Sequence, residues 1–315
     1  MRSLSFSSGG SGPAFSPLHY AGQASDAAHR AHFLVSPRPS TPATKAPPPL
    51  ALDRTTPFMS MPTGYRGRWA QIGDEEAIAN VYYDAFDDSL PRIYCFPDSE
   101  RHPAGQEWWA AEAHHWLVNE QQYYVRVVEE EKTGEIVAFA KWSYHPHGFK
   151  ISEQPLHQGP PFPGTNVHIA NHFFGQMDVH RERTHSNKPH LFLSLLGVSS
   201  AHQQKRLSSI LLSWGISQAD KYGVPIYLES TVMGYRVYRK KGFREAGAIV
   251  YEKTSQEADA EETRRFGDWH KMNLVIMIRQ PNSDNSKDTF TSEDCEDAVK
   301  AAWKGTDPFN TNLVN

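Results

Sequence analysis

The stretch "LFLSLLGVSSAHQQKRLSSILL" (Leu191–Leu212) joins an apolar run to a segment with helical spacing through a short polar loop. Strand-to-helix loops of this kind often hold phosphate groups, because the unpaired N–H groups of a helix N-terminus attract anions. Such loops usually contain glycines that let the backbone approach the ligand. This loop has no glycine between Ala201 and Leu212, and Arg206 and Ser208 stand where glycines are expected. The stretch is therefore a phosphate loop, an altered phosphate loop or an ordinary turn.

The composition predicts a soluble globular chain with polar extensions. The 315 residues are 39% hydrophobic, and the mean hydropathy is −0.60. A net charge of −4 and a pI of about 6.5 argue against a nucleic-acid partner, which favours a basic surface. No apolar run reaches the about 18 residues of a transmembrane helix. Of the two cysteines, Cys95 and Cys295, the second lies in a polar stretch, so we expect no structural disulfide and a reducing compartment.

The first 60 residues differ in composition from the rest. They are rich in Ser, Pro and Gly, contain nine prolines, and carry five basic residues against two acidic ones. We expect disorder there, because such a segment can bury little apolar area. Two alternatives stay open, an organelle transit peptide and a translation start at Met59 or Met61. The expected location is the cytoplasm, or the mitochondrion if the extension is a transit peptide. Residues 281–315 are expected to form a polar C-terminal tail.

A single ordered domain is predicted over residues 61–280. Its β-rich and amphipathic segments predict the order β-α-α-β-β and then β-α-β-α-β-β, with a hairpin turn at Lys132-Thr133-Gly134. Residues 145–189 interrupt this order as an irregular insert with one helix candidate from Asn166. Strands that alternate with single helices predict an α/β (α+β) sheet of mixed strand direction, flanked by helices.

Two blocks of the chain resemble the GNAT superfamily of acyl-CoA-dependent N-acetyltransferases. That family's first signature ends a strand with L-x-V-x-P, continues with x-x-Q, and opens a helix with a basic x-x-G-x-G/A loop. The chain has Leu196-Gly197-Val198, Gln203 and Lys205-Arg206 in the same register. Its segment Tyr238-Arg239-Lys240-Lys241-Gly242-Phe243 is similar to the distal Y-x-K-x-G-F signature. The resemblance implies a mostly antiparallel central sheet flanked by helices, over roughly residues 66–279.

Three positions depart from the family's first signature. Ser200 replaces the proline, Arg206 the first loop glycine and Ser208 the second small residue. Ser208 is itself small, and Ser200 loses only a fixed φ angle. Arg206 bears on function, because its side chain either contacts a phosphate oxygen or covers the anion site. The helix dipole disfavours a cation at this end, so we expect the side chain to point outward.

The resemblance implies acetyl-CoA as co-substrate, held by the splayed end of the strand and by a helix that starts near Gln204. The implied cofactor-binding residues are Leu196, Gly197, Val198, Gln203, Gln204, Lys205, Arg206, Leu207, Ser208 and Ser209. Tyr238 aligns with the family's proposed general acid, and a phenol with a pKa of about 10 suits a thiolate with a pKa of about 8.5. Glu229, which ends the neighbouring strand, is the candidate general base. The alternative role of Glu229 is a charge at a helix N-terminus.

Residues 145–190 hold eight histidines. Two of them, His168 and His172, have the i, i+4 spacing of a metal-binding pair on a helix. No cysteine or HExxH pattern supports a metal site, so no metal is expected. These histidines, with Phe162, Phe173 and Phe174, are instead expected to shape a lid over an acceptor pocket.

The expected function is the transfer of an acetyl group to an amine. We expect a small-molecule amine as the partner, and neither nucleic acid nor membrane. A second version of this hypothesis takes a protein amine as the acceptor. A third hypothesis, motivated by Arg206, is a GNAT-fold protein that binds acyl-CoA or another ligand without catalysis. Retention of Tyr238 within its motif favours catalysis. The sequence leaves the acceptor, the acyl chain and the oligomeric state open.

Overall fold

The structure is a computed structural model of the chain. The residues that it describes are 52–58, 60–87, 89–96, 103–153, 164–254 and 269–283. All of them belong to one compact unit, Pro48–Asn315. The expected N-terminal extension before Leu52, residue Met59 and the expected tail from residue 284 lie outside the described residues.

Within those ranges the chain forms the predicted elements and one additional helix, α2. In chain order the elements are β1 (Tyr65–Trp69), α1 (Glu75–Ala85), α2 (Leu90–Cys95), α3 (Pro103–Val118), β2 (Tyr123–Glu130), β3 (Ile136–His145), α4 (Val167–His185), β4 (His190–Val198), α5 (Leu207–Tyr222), β5 (Ile226–Ser230), α6 (Val232–Arg239), β6 (Arg244–Thr254) and β7 (Trp269–Arg279). Short 3-10 turns lie at Ile151–Glu153 and Ser200–His202. None of the described helices has the length and apolar character needed to cross a membrane.

The strands form one seven-stranded sheet in the order β1-β2-β3-β4-β5-β7-β6. β4 and β5 run parallel, and the other neighbouring pairs run antiparallel. This confirms the predicted mixed, mostly antiparallel sheet flanked by helices. The parallel pairing extends only from Leu191–Ile226 to Leu193–Leu228. Beyond it β4 continues beside β3 and β5 continues beside β7, so the sheet opens between β4 and β5.

Helices cover both faces of the sheet. α5 and α6 pack on one face, called the α5 face, around Trp142 and Leu228. α1, α3 and α4 pack on the opposite face, called the α1 face, around Phe139 and Tyr227. Side chains alternate between the two faces along a strand. Glu229 therefore points to the α1 face, like Tyr227 two residues earlier.

The sequence of α5 explains why it lies flat on its face of the sheet. Leu207, Leu211 and Trp214 recur at helical spacing and are buried. Gly215 allows close approach, because a Cβ at that position would lie 2.2 Å from the ring of Trp142. Gly223 ends the helix with a left-handed φ of 67°. The N-terminus of α5 is thereby fixed beside the opening.

The ordered chain begins earlier than the predicted boundary at residue 61. Leu52 is buried, and its N–H donates to Oη of Tyr124 at 3.3 Å. The carbonyl of Asp53 accepts from Nε1 of Trp214 at 3.0 Å. Residues 52–58 thus belong to the folded domain. Composition placed the boundary too late, because it averages over a Pro-rich segment and does not detect single anchoring side chains.

The insert between β3 and β4 contains α4, which confirms the helix candidate. Asn166 caps the helix, and its side chain accepts the N–H of Ile169 at 3.2 Å. Ile169 and Phe173 are buried against the α1 face. α4 also contacts α2 and β6, so the insert covers the sheet beside the opening.

Candidate active site

The opening between β4 and β5 leaves backbone unpaired at the centre of the sheet. From Leu195 to Val198, β4 pairs with β3 but has no described partner on the side that faces β5. Leu196 and Val198 pack against the α5 face. Gly197 faces α1, where an added Cβ would lie 3.2 Å from the Cβ of Ala85. The free edge offers backbone N–H and C=O groups to a ligand that lies along it as an added strand would.

Two residues of the loop after β4 have left-handed backbones, with φ of 61° at Gln204 and 65° at Arg206. The prediction that the helix starts near Gln204 was wrong, because the two left-handed residues interrupt the right-handed path and α5 begins at Leu207. Arg206 therefore occupies the first glycine position of the loop in a conformation that suits glycine. That conformation costs other residues about 1–2 kcal/mol.

Ser200 makes a hydrogen bond that the expected proline could not make. Its N–H donates to Oδ2 of Asp84 in α1 at 2.8 Å. The preceding N–H, of Ser199, donates to the carbonyl of Val137 in β3 at 2.9 Å. These two bonds fix the point at which the chain leaves β4, so the loop starts from a defined position.

The N-terminus of α5 attracts an anion. The N–H groups of Leu207, Ser208 and Ser209 lie in the first turn, where no intrahelical acceptor exists, and the side chain of the N-cap residue does not cap them. The aligned peptide dipoles of this 16-residue helix add partial positive charge at the same end. Lys205 is held close by, because its Nζ donates to Oη of Tyr65 at 2.8 Å.

A cleft of about 910 Å³ lies in front of this helix end. It is lined by Ser60, Met61, Pro62, Thr63, Tyr65, Gln204, Lys205, Arg206, Ser209, Ile210 and Lys241. Three of these side chains are cationic, namely Lys205, Arg206 and Lys241. Arg206 is exposed and lines the cleft, so its cation lies beside the end of the helix. The size and charge of the cleft fit the nucleotide and diphosphate part of coenzyme A.

Not every predicted cofactor-binding residue presents its side chain to the cleft. Leu207 is buried in the core of the α5 face, and Ser208 is partly buried. Gln203 is exposed and lies outside the cleft lining. Leu207 and Ser208 are therefore placed to contribute backbone N–H groups only.

Seven of the residues that line this cleft were not predicted from the sequence, and Lys241 and Tyr65 are the two of them with a specific role. Lys241 stands inside the second signature block, but its charge was not connected with the loop 36 positions earlier at Lys205. Tyr65 bonds both Lys205 Nζ and, at 2.9 Å, Nδ1 of His202. Nothing in the local sequence of Tyr65 indicates this role, which depends on β1 lying beside the loop.

Tyr238 lies in α6, with its ring near the C-terminal end of β5. The ring packs over Gly234, where an added Cβ would lie 2.8 Å from Cε2 of Tyr238 and 3.3 Å from Oγ of Ser230. An edge contact with Phe243 supports the other side. Burial raises the pKa of the Tyr238 hydroxyl above its usual range. The hydroxyl stays protonated at neutral pH, and the rise makes it a weaker acid than the free phenol that was matched to the thiol.

Glu229 lies at the end of β5 on the α1 face, beside the opening. It pairs with Ile276 of β7 and has no described partner in β4. Burial raises the pKa of its carboxyl group to about 7, and the cation of Arg181 opposes that rise. A carboxylate with a pKa near neutrality suits general base catalysis. The N-cap of α6 is Thr231, whose side chain accepts the N–H of Gly234 at 3.3 Å.

The candidate acid and base lie on opposite faces of the sheet. Tyr238 packs with Leu228 on the α5 face, whereas Glu229 follows Tyr227 on the α1 face. Both residues flank the C-terminal end of β5, where it separates from β4. A single ligand can contact both side chains only if it lies in the opening itself.

Three histidines pack together beneath the C-terminal part of α4. The ring centroids of His145 and His190 are 5.0 Å apart, and those of His185 and His190 are 4.5 Å apart. Burial lowers the pKa of His145 to about 3, of His185 to about 4 and of His190 to about 2. All three imidazoles are therefore neutral at pH 7.

The structure describes only some of the residues that were expected to form a lid over the acceptor pocket. Phe173 is buried and Phe174 is exposed, with the ring of Phe174 6.2 Å from that of Phe96. The side chains of His168 and His172 lie outside what the structure describes, as does Phe162. Within the described part of the chain, no group of His, Cys, Asp and Glu side chains could hold a metal ion.

The known proteins to which the chain is similar are described as acyltransferases or acetyltransferases. No protein-family model matches the chain. It is similar to "Probable acyltransferase SID5" of Ajellomyces capsulatus, with 31% identity over 85 residues, which make up 26% of this chain and 54% of that protein. The chain thus matches about half the length of this curated relative.

Three solved structures illustrate the structural likeness. One, from Corynebacterium glutamicum, is described as a histone acetyltransferase HPA2 and related acetyltransferase, with 20% identity, a TM-score of 0.43, and coverage of 71% of this chain and 99% of that one. An N-acetyltransferase of Staphylococcus aureus shows 16% identity, a TM-score of 0.41 and coverage of 69% and 99%. The paia N-acetyltransferase of Thermoplasma acidophilum, in complex with coenzyme A, shows 13% identity, a TM-score of 0.38 and coverage of 69% and 98%.

Because these similarities are low, the fold is assigned from the topology of the chain's own sheet and loops. The strand order, the short parallel pairing of β4 with β5, and the anion-attracting loop between β4 and α5 are the features that count. Together they define the GNAT fold.

Proposed function

We propose that the protein is an acyl-CoA-dependent N-acetyltransferase that moves an acetyl group to the amine of a small molecule by direct transfer. One observation carries the proposal. The unpaired part of β4 runs along the chain into the loop of the basic cleft at the N-terminus of α5, and β5, on the other side of the opening, ends at Glu229 and Ser230 just before the helix that carries Tyr238. An elongated thioester with a charged head group matches that arrangement.

We assign the binding of acetyl-CoA to backbone hydrogen-bonding groups and to cationic side chains. The first-turn N–H groups of α5, with Lys205, Arg206 and Lys241, are placed to neutralise phosphate oxygens. The free edge of β4 from Leu195 to Val198 is placed to hydrogen-bond the amides of the pantetheine arm. When bound, acetyl-CoA would supply the acetyl group and a thiolate leaving group.

Proton transfer is assigned to the two residues that flank the opening. Glu229 would accept the proton of the attacking amine, because a carboxylate with a pKa of about 7 is partly ionised at neutral pH. Tyr238 would donate a proton to the departing thiolate. Because the two lie on opposite faces, the amine would approach from the α1 face and the proton for the thiolate would come from the α5 face.

The helix that lies over the α1 face favours a small molecule as the acceptor of the acetyl group. α4 lies across that face and contacts α2 and β6, with Phe96 and Phe174 near each other at its outer edge. An open groove would suit a protein chain better. We therefore favour a small-molecule amine over a protein amine.

Calorimetric titration of the full-length protein with acetyl-CoA and with desulfo-CoA tests the proposal. We expect both to bind, with saturable formation of coenzyme A in the presence of amines and acetyl-CoA. Failure of acetyl-CoA to bind would overturn the proposed function. Binding of acetyl-CoA without turnover of any amine would favour the alternative, a GNAT-fold protein that binds acyl-CoA without catalysis, for which the non-glycine residue Arg206 is the motivating observation.

A further inference from the structure

Arg181 is a buried cation with unusual surroundings. It lies near the C-terminal end of α4 and is 8% exposed. Its guanidinium carbon lies 3.4 Å from the ring centroid of Phe149 and 4.4 Å from that of Phe192. The two aromatic rings support the guanidinium but offer no conventional hydrogen-bond acceptor.

No acceptor satisfies this guanidinium within the part of the chain that the structure describes. Its Nε is buried without a hydrogen-bond partner. The ion pair with Asp178 has an N–O distance of 3.8 Å, which is longer than a hydrogen bond. A buried cation with unpaired donors is unfavourable by itself, so its donors are available to an anion that arrives with a ligand.

The location of Arg181 connects it with the proposed active site. Phe192, on which it rests, pairs with Tyr227, one pair before Leu193 and Leu228, after which β4 and β5 separate. Glu229, two residues after Tyr227, is the carboxylate whose charge interacts most strongly with Arg181. Arg181 and Glu229 thus lie on the same face of the sheet, the α1 face, close to the point where β4 and β5 separate.

A second arginine shows why position matters. Arg126 is also buried with unpaired donors, at Nε and Nη1. It lies on the α5 face, however, and the ring of Phe58 covers it with its centroid 3.4 Å from the guanidinium carbon. Arg126 is 2% exposed and lies in β2, with β3 between that strand and β4, whereas Arg181 is 8% exposed on the α1 face.

We infer that Arg181 binds a carboxylate of the acceptor, so that the substrate class is a small amino acid whose amine is presented to Glu229. A guanidinium binds a carboxylate through two parallel hydrogen bonds, which would satisfy the unpaired donors and fix the orientation of the acceptor. This inference rests on the proposed function and adds the second functional group of the acceptor.

The test is an acetyl-transfer assay on full-length protein with free amino acids, each compared with its own carboxamide. Rates are normalised to the fraction of neutral amine, because amidation lowers the amine pKa. We expect KM to be about 10- to 100-fold lower for the acids, the range of a charge-assisted hydrogen bond. Arg181→Gln should remove this preference, and Arg181→Lys should restore part of it. Arg183→Gln, on the same helix but exposed, is the matched control.

The outcomes separate the inference from the function on which it rests. Equal use of acids and carboxamides, or equal loss of both in Arg181→Gln with an unchanged melting temperature, would overturn the inference. So would full preference for acids in Arg181→Gln. If Arg181→Gln does not fold, Arg181→Lys takes its place and must raise KM for the acids but not for the carboxamides. An unchanged ratio of the two KM values would count against the proposal. Failure to bind acetyl-CoA would instead overturn the proposed function.

Discussion

At the residue scale, Arg206 shows how a loop keeps its shape after losing a glycine. Its φ of 65° lies in the region that glycine occupies readily. The penalty for arginine there is about 1–2 kcal/mol, which the packing of Leu207 in the core offsets. The side chain in return adds a cation to the cleft at the end of α5.

Arg206→Gly should weaken acetyl-CoA binding about tenfold and make it less dependent on salt. One charge-assisted contact is lost, and the backbone geometry stays the same. The free energy of unfolding should stay constant or rise by up to about 1 kcal/mol, because relief of the left-handed strain exceeds the added chain entropy. Calorimetry at two salt concentrations and denaturant titration measure the two effects.

Gln204→Gly is the control for Arg206→Gly. It relieves the same kind of left-handed strain at φ 61° without removing a charge. Its acetyl-CoA affinity should fall less than that of Arg206→Gly, and the salt dependence of binding should stay that of the parent protein, because no charge is lost. If Arg206→Gly instead creates binding that the parent lacks, Arg206 blocks the anion site and the non-catalytic function becomes the better one.

Tyr238→Phe should lower turnover by about 10²- to 10⁴-fold, the range for a positioned proton donor. Acetyl-CoA affinity and melting temperature should stay near those of the parent, because the ring and its contacts with Gly234 and Phe243 remain. Tyr235→Phe on the same helix is the matched control. Its hydroxyl bonds Glu245, away from the opening, so it should alter stability more than turnover. Loss of binding and stability together in Tyr238→Phe would make Tyr238 a packing residue.

At the scale of elements, the contact between α4, β3 and β4 buries three neutral histidines. Each has a folded-state pKa below the unfolded value of 6.5. The folded state therefore binds fewer protons than the unfolded state below pH 6.5. The stability from these groups is fully present above that pH and is lost as pH falls. Glu229 acts in the opposite sense, because its pKa is raised to about 7 in the folded state. It offsets at most one of the protons that the three histidines take up on unfolding.

We therefore expect the free energy of unfolding to fall between pH 6.5 and pH 5. The slope should be at most about 2.7 kcal/mol per pH unit, from a net excess of two protons at about 1.36 kcal/mol each. Denaturant titrations at several pH values measure it. His190→Asn keeps a donor for the Lys188 carbonyl and should reduce the slope by up to one proton. A slope that first appears below pH 4.5 would point to carboxylates instead.

At the scale of the whole molecule, the chain before β1 is part of the folded domain. Phe58 covers the Arg126 guanidinium, and the Asp53 carboxylate pairs with Lys221 at 3.1 Å. The chain then continues through residues 60–63 along the wall of the proposed cofactor cleft. This segment therefore links the stability of the α5 face with the shape of the binding site.

Removal of residues 1–50 should leave the melting temperature nearly unchanged, whereas removal of residues 1–58 should lower it by at least about 6 °C. The longer deletion exposes the sites of Leu52 and Phe58, each worth about 1.5–3 kcal/mol, at about 2–4 °C per kcal/mol. Thermal unfolding of the two truncated proteins, side by side, measures the difference. Equal melting temperatures would return the domain boundary to residue 61.

The sequence by itself determined the strands, the other helices and their order, but not the short helix α2. The hairpin of β2 and β3, the run from β4 into α5, and the helix within the insert each depend on periodicity and turn residues within about twenty positions, which is the range of local interactions. The anion loop and Tyr238 were predicted from the resemblance to the GNAT signatures, which can be recognised because each signature is contiguous in the sequence.

Only the tertiary structure decided how these parts meet. The divergence of β4 from β5 depends on their pairing with β3 and β7, and the cleft combines Tyr65, Lys205 and Lys241 from three separate elements. The pKa of Glu229 and the unsatisfied Nε of Arg181 follow from burial, which no short stretch of sequence specifies. The physical reason is that desolvation and long-range contact arise when distant segments pack together, whereas strand and helix patterns arise within one segment.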